Sequence, residues 1–213
     1  PLAGGHSIDS PEPIFGLAVS GLVNKTNLKK NNTAKPGDRL YLTKPLGAGI
    51  ITTAQKRGLA DAADVAEAVR WMTELNAIGA ELGELPYVTA LTDITGFGLL
   101  GHVIEVCEGS GVSAEIHYPQ VPLMNNLKSY TDRFIYPDNT MRNWQSFEMK
   151  VEGIGSESLL TLCDPQTSGG LLVCVDQGAQ KDFEQFMHKR HVQAYGIGQT
   201  TPLRDSVIIV VEQ

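Results

Sequence analysis

The sequence predicts an α+β fold, a mixed and mostly antiparallel sheet with covering helices. Two observations predict it. Strand-like and helix-like segments mix irregularly, without the steady strand–helix alternation of a doubly wound sheet. The 213 residues, 42% hydrophobic and 19% charged, suffice for one large domain, or one domain plus a piece of another, with no need of disulfide or metal staples.

Along the chain, residues 14–23 are apolar and flanked by Pro and Gly, which reads as a strand. No hairpin partner lies nearby, so this strand is expected to belong to a sheet whose other strands are absent. The polar stretch Asn24–Gly37 reads as a linker closed by the turn residues Pro36-Gly37-Asp38. Arg39–Thr43 is a second strand, followed by a turn over Lys44–Gly49. The clearest helix covers about 62–82, where Val65, Val69, Met72, Leu75, Ile78 and Leu82 recur at spacings of three and four; Pro86 ends it. Val88–Leu91 reads as a short buried strand that delivers the chain to Thr92-Asp93. A helix over about 97–108 follows, with Leu99, Leu100, Val103, Ile104 and Cys107 inward. Further strands are expected near 112–117, 170–175 and 206–212, and a helix near 179–190. Residues 119–158, punctuated by Pro, Asn and Gly, give no clear pattern.

The formal charge of −7 argues against nucleic-acid binding, since phosphate backbones attract clustered Lys and Arg. Lys25, Lys29, Lys30 and Lys35 read as a solvated loop. Cys107, Cys163 and Cys174 show no CxxC spacing and read as reduced thiols of a cytoplasmic protein. No apolar run nears the roughly 20 residues of a membrane span, and no signal peptide is evident. A start inside a Gly-Gly turn, without Met, reads as a truncation.

Three stretches have the residue types of a binding site. In Gly4-Gly5-His6-Ser7-Ile8-Asp9, two glycines allow close backbone approach, and Ser7 and His6 add donors suited to phosphate oxygens; a plain strand-entry turn is the alternative. In Thr92–His102, a strand ends in Asp93 and a glycine-punctuated turn opens a helix. A carboxylate there suits Mg2+, with the helix N-terminus behind it for phosphate. The alternative is a helix cap by Asp93 or Thr95. In Cys163–Leu172, polar side chains and a Gly pair precede an apolar strand, which also suits a loop tied by its own side-chain hydrogen bonds. His188 and His191 lie at a helix end where positive charge suits the dipole. His102 and Glu105, three residues apart, have no evident third metal ligand. Walker-type and Gly-x-Ser-x-Gly loops are absent.

Taken together, Gly-Gly-His-Ser-Ile at 4–8, Leu-Thr-Lys-Pro-Leu-Gly-x-Gly at 42–49, Thr-Asp-Ile-Thr-Gly-Phe-Gly-Leu-Leu-Gly-His at 92–102 and Asp-Pro-Gln-Thr-Ser-Gly-Gly-Leu-Leu at 164–172 resemble the signatures of the selenophosphate synthetase (selenide, water dikinase) family. Their order and separation match as well. The resemblance implies kinship with aminoimidazole ribonucleotide synthetase, thiamine monophosphate kinase and a hydrogenase maturation factor. It implies that residues 1–32 are the end of an N-terminal ATP-binding domain plus a linker, and that 33–213 are a C-terminal synthetase-like domain. It further implies conversion of ATP, selenide and water into selenophosphate, AMP and phosphate by a homodimeric, Mg2+-dependent enzyme. Gly5, His6 and Ser7 match the turn that contacts ATP, and Asp93 matches an aspartate of the Mg2+ site. The reactive Cys or selenocysteine and its partner Lys have no counterpart here, so no catalytic residue is expected and the fragment should be inactive alone. The competing expectations are a non-catalytic binding or interaction module and a related ATP-dependent ligase or kinase.

Overall fold

A computed structural model describes residues 4–12 and 14–213. Its core is a seven-stranded sheet, α+β in class as predicted. The strands are β1 (Arg39–Leu42), β2 (Val88–Asp93), β3 (Val112–His117), β4 (Val151–Glu152), β5 (Leu171–Val175), β6 (Tyr195–Pro202) and β7 (Ile208–Val211). They lie in the order β2-β5-β1-β6-β3-β7-β4. All pairs are antiparallel except β3–β7 and β4–β7. The helices are α1 (Ala48–Lys56), α2 (Ala62–Thr73), α3 (Ile78–Glu84), α4 (Gly98–Ser110), α5 (Leu127–Thr131), α6 (Asp138–Phe147), α7 (Ser156–Leu162) and α8 (Gln180–Lys189). No helix among the described residues is long and apolar enough to cross a membrane.

Strand alternation distributes the core. Leu40, Leu42, Leu172 and Cys174 face one side, where Leu99, Leu100, Val103, Ile104 and Cys107 of α4 cover them. Tyr41, Val173 and Val175 face the other, against Leu82 of α3 and Phe183 and Met187 of α8. A third cluster lies among α1, α2 and α5, around Ile50, Ile51, Ala68 and Tyr130. The polar run reaches this sheet through a turn in which the buried Asp38 carboxylate accepts from the Lys35 amide at 2.7 Å and the Thr89 hydroxyl at 2.5 Å.

Three expectations are corrected. Residues 14–23 form no strand; Phe15, Leu17, Val19 and Leu22 are exposed. Apolar character alone does not make a strand, which needs a ladder partner, and among the described residues none pairs with this segment. Of the predicted end segment 1–32, residues 1–3 and 13 lie outside the described residues. Secondly, the helix expected over 62–82 is two helices, because Glu74 is extended (φ −69°, ψ 125°). The buried Lys44 ammonium takes the Trp71 and Glu74 carbonyls at 3.1 and 2.6 Å. Leu75, taken as part of the apolar stripe, is exposed. Finally, β6 and α1 were not expected. The glycines of β6 weaken its strand pattern, yet a Cβ at Gly198 would sit 2.0 Å from the Glu115 carbonyl oxygen of β3, so the strand pairing requires glycine there. The β-branched Ile50-Ile51-Thr52-Thr53 run in α1 has poor intrinsic helix propensity. The unread stretch 119–158 holds α5, α6, β4 and the start of α7.

Candidate functional site

Three of the four motif stretches meet at one end of β2, β5 and β1. Asp93 ends β2 opposite Leu171 at the start of β5, so the turns on either side of these residues lie side by side. Their backbones interlock: the Ile94 amide donates to the Gly170 carbonyl at 2.9 Å, and the Gln166 amide to the Thr95 carbonyl at 3.0 Å. Gly98 opens α4 with φ +69°, and a Cβ there would lie 2.7 Å from the Leu162 carbonyl oxygen. That position requires glycine for both conformation and space. Gly101 is likewise packed, against Phe97 and Phe147, whereas Gly96 faces open space.

The Asp164–Gly170 loop carries the turn chemistry of the structural alternative. Asp164 accepts from the Gly49 amide at 3.1 Å and from Gln166 Nε2 at 2.8 Å. Gln166 Oε1 accepts from the Gly47 and Ala48 amides at 3.2 and 3.3 Å. These contacts satisfy amides at the start of α1, which explains a helix there despite weak propensity. Asp164 is fully buried, one oxygen has no partner, and burial pushes its carboxyl up to about 8 against the pull of its donors. The Lys44 ammonium adds the Ser168 carbonyl at 3.0 Å to its two helix carbonyls, tying this loop to the end of α2. Desolvation lowers the Lys44 pKa.

Asn143 of α6, buried, donates through Nδ2 to the Gly96 carbonyl at 2.9 Å and the Cys163 carbonyl at 3.0 Å. A single amide thus joins the two loops. His102 Nε2 receives the Thr95 amide at 3.0 Å, with the Thr95 hydroxyl at 3.1 Å. Burial lowers the imidazole pKa, with the Glu105 and Asp93 charges pulling the other way. Neither Asn143 nor the Lys44 clamp was singled out from sequence; Asn143 lies in the unread stretch, where no periodicity marks it.

The helix-cap alternative for Asp93 and Thr95 is not met: Phe97 is the N-cap residue of α4, and no side chain caps it. Asp93 is exposed, and among the described residues its carboxylate makes no hydrogen bond or ion pair. Its oxygens are therefore free for a hard cation, which prefers such donors. No group of three His, Cys, Asp or Glu side chains among the described residues forms a metal cluster. Gly5, His6 and Ser7 are exposed, in a segment with no hydrogen bond to the rest among the described residues; a Cβ at Gly5 would meet nothing within 4 Å. Cys107, Cys163 and Cys174 are buried free thiols. Burial pushes Cys107 and Cys163 up to about 12, which removes them as thiolate nucleophiles.

Residues 35–211 match the family AIR synthase related protein, C-terminal domain. A selenide, water dikinase from Colwellia psychrerythraea is 49% identical over 199 residues, covering 93% of this chain and 58% of the relative. The chain therefore spans less than two thirds of that protein's length. Among solved structures, a thiamine-monophosphate kinase from Stenotrophomonas maltophilia K279a superposes with a TM-score of 0.66 at 14% identity, covering 90% of this chain and 55% of the other. The hydrogenase maturation protein HypE, in complex with ATP, superposes at 0.58 with 17% identity, covering 85% and 49%. These two likenesses show the fold.

Proposed function

The chain belongs to the AIR synthase related protein, C-terminal domain, family, and from this premise we propose that it is the C-terminal part of a selenophosphate synthetase. The observation that carries the reading is the 49% identity to a selenide, water dikinase over nearly the whole chain, together with the packing of three motif stretches around Asp93. The proposed reaction turns ATP, selenide and water into selenophosphate, AMP and phosphate, in a cytoplasmic homodimer. ATP use is supported by the ATP complex of HypE. Residues 1–32 are proposed as the end of the ATP-binding domain and its linker, and 33–213 as the C-terminal domain.

In this reading Gly5, His6 and Ser7 contact the nucleotide, the glycine backbone and the two side chains offering donors to phosphate oxygens. Asp93 gives one carboxylate to Mg2+, whose positive charge neutralises the polyphosphate when bound. The sheet holds Asp93 at a strand end, and the interlocked turns keep its backbone rigid. The first amides of α4, uncapped by side chains, present the positive end of the helix beside it. The described thiols are buried and protonated, so the reactive nucleophile is expected outside this chain.

The test is Asp93→Asn in the enzyme containing this chain, assayed for selenophosphate by phosphorus NMR. Loss of product at unchanged melting temperature is expected. Full activity in that variant overturns the metal assignment, and a wild-type enzyme that makes no selenophosphate overturns the function.

A further inference from the structure

We infer that His102 is a positioning residue for the Asp93 turn: its imidazole acts as a fixed hydrogen-bond acceptor that holds the Thr95 amide, and so sets the direction in which Asp93 leaves β2. The inference rests on the reading of Asp93 as a metal ligand.

The argument starts from valence. The Thr95 N–H can only donate, and it points at His102 Nε2 at 3.0 Å. Nε2 must therefore carry its lone pair, which places the ring proton on Nδ1. Nδ1 is buried with no hydrogen-bond partner, and Glu105 Oε2 stands 3.6 Å away, beyond hydrogen-bond range. The ring is thus held by its acceptor side. Two further backbone groups of this turn are engaged: the Ile94 amide donates to the Gly170 carbonyl, and the Thr95 carbonyl accepts from the Gln166 and Gly98 amides. The Thr95 amide is the donor of this turn that a side chain takes up, and His102 supplies that acceptor from the second turn of α4. The arrangement ties the helix to the turn two residues beyond Asp93. A ligand's supporting hydrogen bonds commonly matter about 10–100-fold in metal affinity.

Glutamine places a carbonyl oxygen the same number of bonds from Cα as Nε2, so His102→Gln keeps the acceptor. His102→Leu removes it, and His102→Asn keeps polarity but ends one atom short. Two readouts apply to the enzyme containing this chain. One is hydrogen–deuterium exchange of the Thr95 amide in metal-free protein. The other is Mn2+ affinity, measured by electron paramagnetic resonance with a non-hydrolysable ATP analogue. The Leu and Asn variants should exchange Thr95 faster and bind Mn2+ about ten-fold more weakly, while Gln stays near wild type in both. If Leu does not fold, the contrast between Asn and Gln decides. Equal Mn2+ affinity in all variants, or a loss in Gln as large as in Asn, overturns the inference. Absence of selenophosphate synthesis in the wild-type enzyme would sink the functional reading instead, and these two measurements do not depend on turnover.

Discussion

Replacing Asn143 by Leu tests whether one buried amide holds the candidate site together. The residue is 7% exposed, and Nδ2 donates to the Gly96 and Cys163 carbonyls at 2.9 and 3.0 Å. Leucine shares the branched heavy-atom skeleton, though its methyl groups are bulkier, and it donates nothing. A typical hydrogen bond contributes about 0.5–1.5 kcal/mol net, and a buried carbonyl left unpaired costs about 1–3 kcal/mol. Gly96 is exposed, so water can replace the donor there and the loss sits at the low end. Cys163 is fully buried, so its carbonyl bears the larger cost. Together these give roughly 2–3 kcal/mol. For a domain of this size, each kcal/mol lowers Tm by about 2–4 °C, so a drop of roughly 5–10 °C is expected. Thermal unfolding followed by circular dichroism measures it. Asn143→Asp, the same shape with carboxylate oxygens facing two carbonyls, should lose at least as much. A Leu variant within about 1 °C of wild type, or an Asp variant as stable as wild type, would refute the bridge.

Two further outcomes are expected from the buried charges. Lys44→Met leaves the Trp71, Glu74 and Ser168 carbonyls without their shared donor; stability should fall by about 3 kcal/mol or more, read by urea unfolding, and an unchanged midpoint would rule out the clamp. For Asp164 the sign follows from its raised carboxyl, up to about 8. The unfolded chain ionises near ~4 while the folded one stays protonated, so the folded state binds more protons between these values. Its favourable contribution is complete below the unfolded pKa and lost as pH rises to about 8. Asp164→Asn keeps an acceptor oxygen and does not titrate. Its stability relative to wild type should therefore rise across that window, and parallel melting profiles against pH would contradict this.

Elements with strong periodicity were legible without tertiary information. The stripe of Leu99, Leu100, Val103, Ile104 and Cys107 is the buried face of α4, and the apolar run at 171–175 is the fully buried β5. Elements whose residues serve neighbours were not. Gly196 and Gly198 weaken the strand pattern of β6, and Gly198 is there because it makes room for the β3 backbone. The helix over 62–82 read as continuous because its spacing ignores Lys44, eighteen or more residues earlier.

Sequence alone determined the sheet-and-helix class, the motif order, the inward placement of Cys107 and the placement of Asp93 at a strand end before a glycine-opened helix. Each follows from local periodicity or residue chemistry, which need no distant partner. Tertiary structure decided which motif residues support and which stay free. Asp164 and Gln166 are occupied with the start of α1, Asn143 and His102 with the turn after Asp93, and the Asp93 carboxylate is left to solvent. The physical reason is that a polar side chain's role depends on which donors and acceptors surround it in space. Those neighbours come from segments up to 119 residues apart.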